Sequence, residues 1–252
     1  MSAEEMSNIF DVKLNSYVNQ RNYGNQQGDT DFTCNEYEKS LFLTRAQEEV
    51  VLSLYSGHNS AIYPALNIFM KSFENTEKIR RELASLVDGE TVTTLTAVNT
   101  YAFDTDVKVY DVSIKNNAWF ILYECCKYKK DDTECAPNYY VPTYPTTHDE
   151  LNTILRNPFK GPNKRRVLRL DIDKHKVELI SRYELAEYFY RYLACPSPII
   201  TTDLPPSASI DGFTTQNDCE LSTSIHNTIV DIAVQIAYQT KVIGRQSATQ
   251  SS

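Results

Sequence analysis

No apolar run in the chain approaches the roughly 18 residues that a membrane-spanning helix requires, so no membrane contact is expected. The opening Met1-Ser2-Ala3-Glu4-Glu5 is acidic, unlike the basic start of a secretory signal, and export by such a signal is not expected. Only seven glycines are scattered over 252 residues, and none forms a phosphate-cradling loop. His-Glu-x-x-His and Gly-x-Ser-x-Gly are absent as well, and the histidines at 58, 148, 175 and 226 stand apart from one another. The six cysteines, at 34, 125, 126, 135, 195 and 219, contain no Cys-x-x-Cys pair and no regular spacing, which argues against both zinc and a disulfide framework. They are read as reduced thiols in a cytoplasm. No catalytic residue, metal ligand or cofactor follows from these patterns, and the chain is read as a non-enzyme. Asp171 and Asp173 share one strand face as a possible cation pair, against which stand salt bridges to nearby Lys and Arg.

What the chain does contain is apolar and aromatic: 41% hydrophobic residues with 17 Tyr and 10 Phe, enough to bury a core as one large domain or two joined ones. Tyrosine suits surfaces that are half apolar and half wet, which points to subunit contacts; ordinary usage in a β-rich protein is the alternative. The net charge of −8 excludes a globally basic nucleic-acid binder. It is unevenly spread. Residues 160–182 hold eight basic residues (Lys160, Lys164, Arg165, Arg166, Arg169, Lys174, Lys176, Arg182) against three acids, a local +5, so the remainder carries −13. Such a patch suits the negative surface of a neighbouring copy, or phosphate, or forms a solvated hairpin face.

The pattern along the chain is helical, then β, then helical. A short helix is expected over 10–18 and a Gln/Asn/Gly-rich linker over 19–31. Thr44-Arg45-Ala46-Gln47 has capping-box spacing for a helix that Gly57 ends, and a second helix is expected over 75–88. Strand-like alternation over 107–115 and 118–127 flanks Asn116-Asn117, which predicts a hairpin with Ile114 facing Trp119, Val112 facing Ile121 and Tyr110 facing Tyr123. Thr147-His148-Asp149-Glu150 opens a short helix that must stop before Asn157-Pro158. Residues 167–173 and 176–180 form another hairpin, and 187–194 reads as a further strand, although its spacing is compatible with a helix too. The last stretch joins Cys195-Pro196-Ser197-Pro198-Ile199-Ile200, Asp203-Leu204-Pro205, Ser209-Ile210-Asp211-Gly212 and Cys219-Glu220-Leu221 to a helix opened by Ile225-His226. Its prolines favour extended backbone, Gly212 allows a turn, and Ser222 can cap the helix that buries Ile225, Ile229, Ile232, Ala233 and Ile236.

This C-terminal block resembles that of head–tail connector (portal adaptor, ring) proteins of short-tailed, crAss-like bacteriophages. Asn35-Glu36-Tyr37-Glu38-Lys39-Ser40 running into Leu43-Thr44-Arg45-Ala46-Gln47-Glu48 is similar to their N-terminal helix pair. Thr146-Thr147-His148-Asp149-Glu150 with the following segment 157–170 is similar to their central part. The chain departs from the pattern at Leu193-Ala194-Cys195, where more basic residues are expected before Pro-x-Pro, and this argues against a DNA contact there. The resemblance implies a structural virion protein of the tail or neck, assembled in the host bacterial cytoplasm. It implies a ring of roughly twelve copies joining the capsid portal to other tail ring or barrel proteins, and lining the channel through which double-stranded DNA transiently passes.

The expected fold is α+β: a helical bundle formed by N-terminal and C-terminal helices with inserted antiparallel β-hairpins. An arm over 1–34 would precede a connector domain over 35–243, with helices in 35–100, a β-rich middle in 101–200 and a loop and closing helix in 201–243; 244–252 would be a flexible tail. Candidate subunit or portal contacts are Lys160, Lys164, Arg165, Arg166, Arg169, Tyr110, Trp119 and Tyr123. Pro196, Pro198, Asp203, Asp211, Gly212, Glu220 and His226 form the structural motif. The runner-up is a nucleic-acid-binding module using 160–182; an enzyme with an unrecognised site is third.

Overall fold

The computed structural model describes residues 1–22, 33–56, 73–101, 104–129, 139–205 and 207–250. Gly57, Cys135 and most of the Gln/Asn/Gly-rich linker lie outside them. The chain divides into two compact units, one built from Met1–Leu86 with Pro196–Ser252 and the other from Val87–Cys195.

In the first unit, helices α1 (Ala3–Asn22), α2 (Glu36–Ser56) and α5 (His226–Gln250) pack together, while the shorter α3 spans Phe73–Glu82. Met6, Phe10, Leu14 and Val18 repeat every four residues along α1 and are buried, as are Ile229, Ile232, Ala233 and Ile236 on α5. Helix α2 begins a full two turns before the position expected from Thr44. The reciprocal cap is Asn35 with Glu38: the Glu38 N–H donates to Asn35 Oδ1 at 2.8 Å and the Asn35 N–H to Glu38 Oε2 at 3.1 Å. Lys39 is buried between α1 and α2, where its ammonium reaches Asp11 at 2.5 Å and Glu36 at 2.8 Å.

Thr44 and Gln47 are buried mid-helix and hold the Pro-x-Pro segment. Gln47 Nε2 donates to the Ser197 carbonyl at 2.8 Å, and the Ile199 N–H donates to Thr44 Oγ1 at 3.1 Å. Thr44 Oγ1 donates in turn to the Ile199 carbonyl at 3.3 Å. The Thr201 N–H donates to Ser40 Oγ at 3.1 Å, and Thr201 Oγ1 to Glu36 at 2.7 Å. A polar stripe at 36, 40, 44 and 47 therefore reads alternate residues of an extended chain. The two periods match because four residues of helix rise about 6 Å and two residues of extended chain about 6.6 Å.

The second unit overturns the expected bundle with inserted hairpins, because its eight strands form one mixed sheet in the order β1-β8-β4-β5-β6-β7-β3-β2. These are β1 (Val87–Val92), β2 (Ala97–Tyr101), β3 (Asp104–Ser113), β4 (Ala118–Tyr128), β5 (Tyr140–Thr146), β6 (Val167–Asp173), β7 (Lys176–Ser181) and β8 (Leu185–Ala194). Val87 and Asp88, expected at a helix end, open β1. The chain does turn at Asn116-Asn117, with the Ala118 N–H donating to the Lys115 carbonyl at 3.0 Å, but β3 and β4 do not pair. Strand β3 is taken on its two edges by β2 and β7, and β4 by β5 and β8. Val112 consequently faces Val177, and Ile121 faces Tyr192. Strands β6 and β7 form the expected hairpin.

Strands β5 and β6 are parallel, which demands a crossover, and α4 (Leu151–Arg156) with the loop after it supplies one. Leu151 and Leu155 of this helix pack on Val107, Leu168, Leu170 and Ile180. The opposite sheet face encloses Tyr110, Tyr128, Tyr188, Tyr190 and Tyr192 with Val112, Val141, Val167, Val177 and Leu179. Tyr188, Tyr190 and Tyr192 stack along β8 with ring centroids 5.3 and 5.6 Å apart. Beside them Glu124, 8% exposed, accepts the Tyr188 hydroxyl at 2.8 Å and the Arg169 guanidinium at 2.9 Å.

Two outcomes test this packing. Thr44→Val keeps the shape of the side chain but leaves the buried Ile199 amide unpaired, and is expected to cost about 1–3 kcal/mol in urea unfolding. Burial holds the Glu124 carboxyl above its ordinary range. A raised native pKa means that the folded state keeps its proton longer than the unfolded one. The stability of the native protein relative to Glu124→Gln should therefore fall as pH rises from the ordinary carboxylate range through the raised value. Thermal melts of both proteins between pH 4 and 7 check the sign.

Candidate assembly surfaces

The loop over 157–166, between α4 and β6, is built stiff from its own residues. Asn157 leaves the helix in an extended conformation, as the following Pro158 requires. Its side-chain oxygen accepts the N–H groups of Phe159 at 2.9 Å and Lys160 at 3.2 Å, and its carbonyl accepts Gly161 at 2.8 Å. A side chain at 161 would put Cβ 3.0 Å from that carbonyl, so the close approach needs glycine. Asn163 and Arg166 exchange both backbone hydrogen bonds, and Tyr128 donates its hydroxyl to the Asn163 carbonyl at 2.7 Å. The Arg166 guanidinium donates to the Lys160 carbonyl at 3.0 Å and lies 4.4 Å from the Tyr144 ring centre. Phe159 of this loop is left 86% exposed.

The basic segment thus splits into two sets. Arg169 is turned inward to Glu124 and Asp171, Lys176 pairs with Asp111 at 2.8 Å, and Arg166 braces its own loop. Lys160, Lys164, Arg165, Lys174 and Arg182 stay exposed. Lys164, Arg165 and Arg182 border a surface cavity of about 410 Å³ together with Pro158, Pro162 and Tyr183.

The aromatic candidates separate in the same way. Tyr110 is 2% exposed and its hydroxyl oxygen accepts the Leu185 N–H at 3.1 Å, which places it in the sheet core. Trp119 is half-buried against Phe120, with ring centres 5.3 Å apart. Tyr123 is 53% exposed, tilted against Phe189. The strand pairing described above means that these three do not share one hairpin face. Phe159 and the polar stripe of α2 were missed in the sequence. An aromatic between Pro158 and Gly161 with no periodic neighbours marks the first, and polar residues every three or four positions in an apolar helix mark the second.

The structural motif sits together in the first unit. Pro196 and Pro198 are buried beside α2, and the Ser197 hydroxyl donates to Glu220 at 2.7 Å. Asp203 accepts the Gln216 N–H at 2.8 Å. Ile210 and Phe213 pair across Asp211 and Gly212, whose φ values of 50° and 84° make a tight turn of left-handed residues. His226 is 2% exposed and its Nε2 lies 2.9 Å from the Leu221 carbonyl. No Lys or Arg occurs between Arg191 and Lys241, while Asp203, Asp211, Asp218 and Glu220 are all exposed. Burial, then the charges of Asp211 and Glu49, push the Glu48 carboxyl of α2 above its usual range, with Arg45 opposing.

The whole length of the chain is similar to known phage proteins. The family described as phage tail ring protein 3/4 matches residues 1–250. "Ring protein 3" of Bacteroides phage crAss001 is 40% identical over 241 residues, covering 96% of each chain. "Ring protein 4/5" of the same phage is 31% identical over 246 residues, covering 94% of this chain and 92% of that one. With a match that runs through both units, the chain belongs to the phage tail ring protein 3/4 family.

Proposed function

We propose that the chain is a structural subunit of a closed ring in the tail of a phage virion, acting by assembly rather than by turnover. The observation that carries the reading is the similarity to ring proteins along residues 1–250, which leaves neither unit outside the family. About twelve copies would close the ring between the portal and the next tail component, in a virion assembled in the host cytoplasm. A ring of identical subunits repeats one heterologous contact, so each copy presents a donor surface and a different acceptor. The stiff loop over 157–166 is the donor: its hydrogen bonds fix it before contact, so little conformational entropy is lost on docking. Arg166 braces it through the Lys160 carbonyl, whereas Lys160, Lys164 and Arg165 are exposed. The net charge of −8 suits a channel wall along which DNA must slide, since phosphate is repelled rather than held.

Reversing Lys164 and Arg165 to Glu should leave the melting temperature within a degree or two, because exposed charges contribute little to folding. It should strip the ring from particles of a phage carrying both changes, as seen by electron microscopy. Normal rings and normal tail attachment would show that the loop is a solvated face. If instead the native subunit alone binds duplex DNA with a steep salt dependence, the basic segment serves nucleic acid and not assembly.

A further inference from the structure

The donor loop carries more than charge. Phe159 stands 86% exposed on a loop whose backbone is held by its own hydrogen bonds, a cost that a solvated loop has no reason to bear. An exposed aromatic side chain on a loop that also exposes Lys160, Lys164 and Arg165 has the composition of an interface anchor, in which the ring fills a site on the partner and the charges select it. The partner surface must then be acidic, with an apolar patch of its own.

One surface of the chain has that chemistry. The tight turn at Asp211 and Gly212 presents Phe213, 42% exposed, beside exposed Asp203 and Asp211, in a stretch that holds no Lys or Arg. Glu48 of α2 lies within electrostatic reach of Asp211, with Arg45 of the same helix opposing. Asp211 forms no ion pair among the described residues. The loop and the turn are both held by backbone geometry, are opposite in charge, and each carries an exposed phenylalanine. A subunit carrying both is self-complementary in the head-to-tail sense that ring closure needs.

Resting on the ring reading above, we propose that Phe159 with Lys160, Lys164 and Arg165 of one copy docks on the turn formed by Asp203, Asp211 and Phe213, next to Glu48, of the adjacent copy of this chain. Pairs of Lys164 and Arg165 with the carboxylates would set the register, and the two exposed aromatic rings would exclude water between them.

A charge exchange across the contact tests it, in virions assembled from the full chain. Lys164→Glu with Arg165→Glu, or Asp203→Lys with Asp211→Lys, should each lower the number of copies per particle about tenfold or more, since like charges then meet at every boundary. Both pairs combined in one chain should restore incorporation to within about threefold of the native level. Phe159→Ser should lower it without altering the melting temperature, and neither charge pair should repair that loss. Native incorporation with the Asp203/Asp211 pair reversed, or no recovery in the combined variant while it melts normally, overturns the docking pair and leaves the ring reading standing. Particles of the native phage that lack the chain in a ring would overturn both.

Discussion

Four residues, 93–96, join the two edge strands of the sheet, and this short link constrains the rest of the second unit. Eight strands laid flat would hold their outer edges about 34 Å apart, whereas the chain from Val92 to Ala97 reaches at most about 18 Å. The sheet must curl, and a curled sheet has an inside that side chains must fill. Tyrosine fills it here. Tyr188, Tyr190 and Tyr192 supply bulk along one strand, and their hydroxyl oxygens meet Glu124, the Lys115 N–H and Asp88. The buried Glu124–Arg169 pair spans β5 from β4 to β6 on that inner side, so its charges are satisfied where water is scarce. Five tyrosines go to this interior with its polar rim, while Tyr37, Tyr55, Tyr123, Tyr139, Tyr140 and Tyr144 stay exposed.

The same curl explains which parts of the fold were legible in the sequence. Signals that act over a few residues were readable. Asn157-Pro158 stops α4, the Lys174-His175 turn pairs β6 with β7, and Asp211-Gly212 makes its turn, because each outcome is decided by local backbone geometry. Strand partners were not readable in this way. The alternation of β3 and β4 fixes which face is apolar, yet it is silent on whether the neighbour in sequence or a distant strand takes the open edge. The Asn116-Asn117 turn forms while the hairpin does not, since both strands already have two partners. The bundle with inserted hairpins fails for that reason.

The start of α2 was misread through a related ambiguity. A Thr and a Gln three residues apart can cap a helix end, or can face outward from the middle of a helix to bind a chain that runs beside it. Only the position of residues 197–201 distinguishes the two, and that is tertiary information. Once the segment is in place, the mixed polar and apolar character of α2 makes sense: one face joins α5, and another supplies hydrogen bonds to an extended segment with no strand beside it on that side.

Charge shows the same division between what a fold consumes and what it leaves over. The sequence shows one basic segment, but the folded chain spends Arg169 on a carboxylate two strands away, Lys176 on one of the adjacent strand and Arg166 on the carbonyls of its own loop. Lys160, Lys164 and Arg165 remain exposed with Phe159, on a loop stiffened by the arginine beside them. The internal bonds therefore raise the specificity of the external charges, because a fixed loop can reject a partner whose charges are a few ångströms out of place. In a closed ring that selection acts at every boundary at once, so a modest discrimination per contact becomes a large one for the assembly.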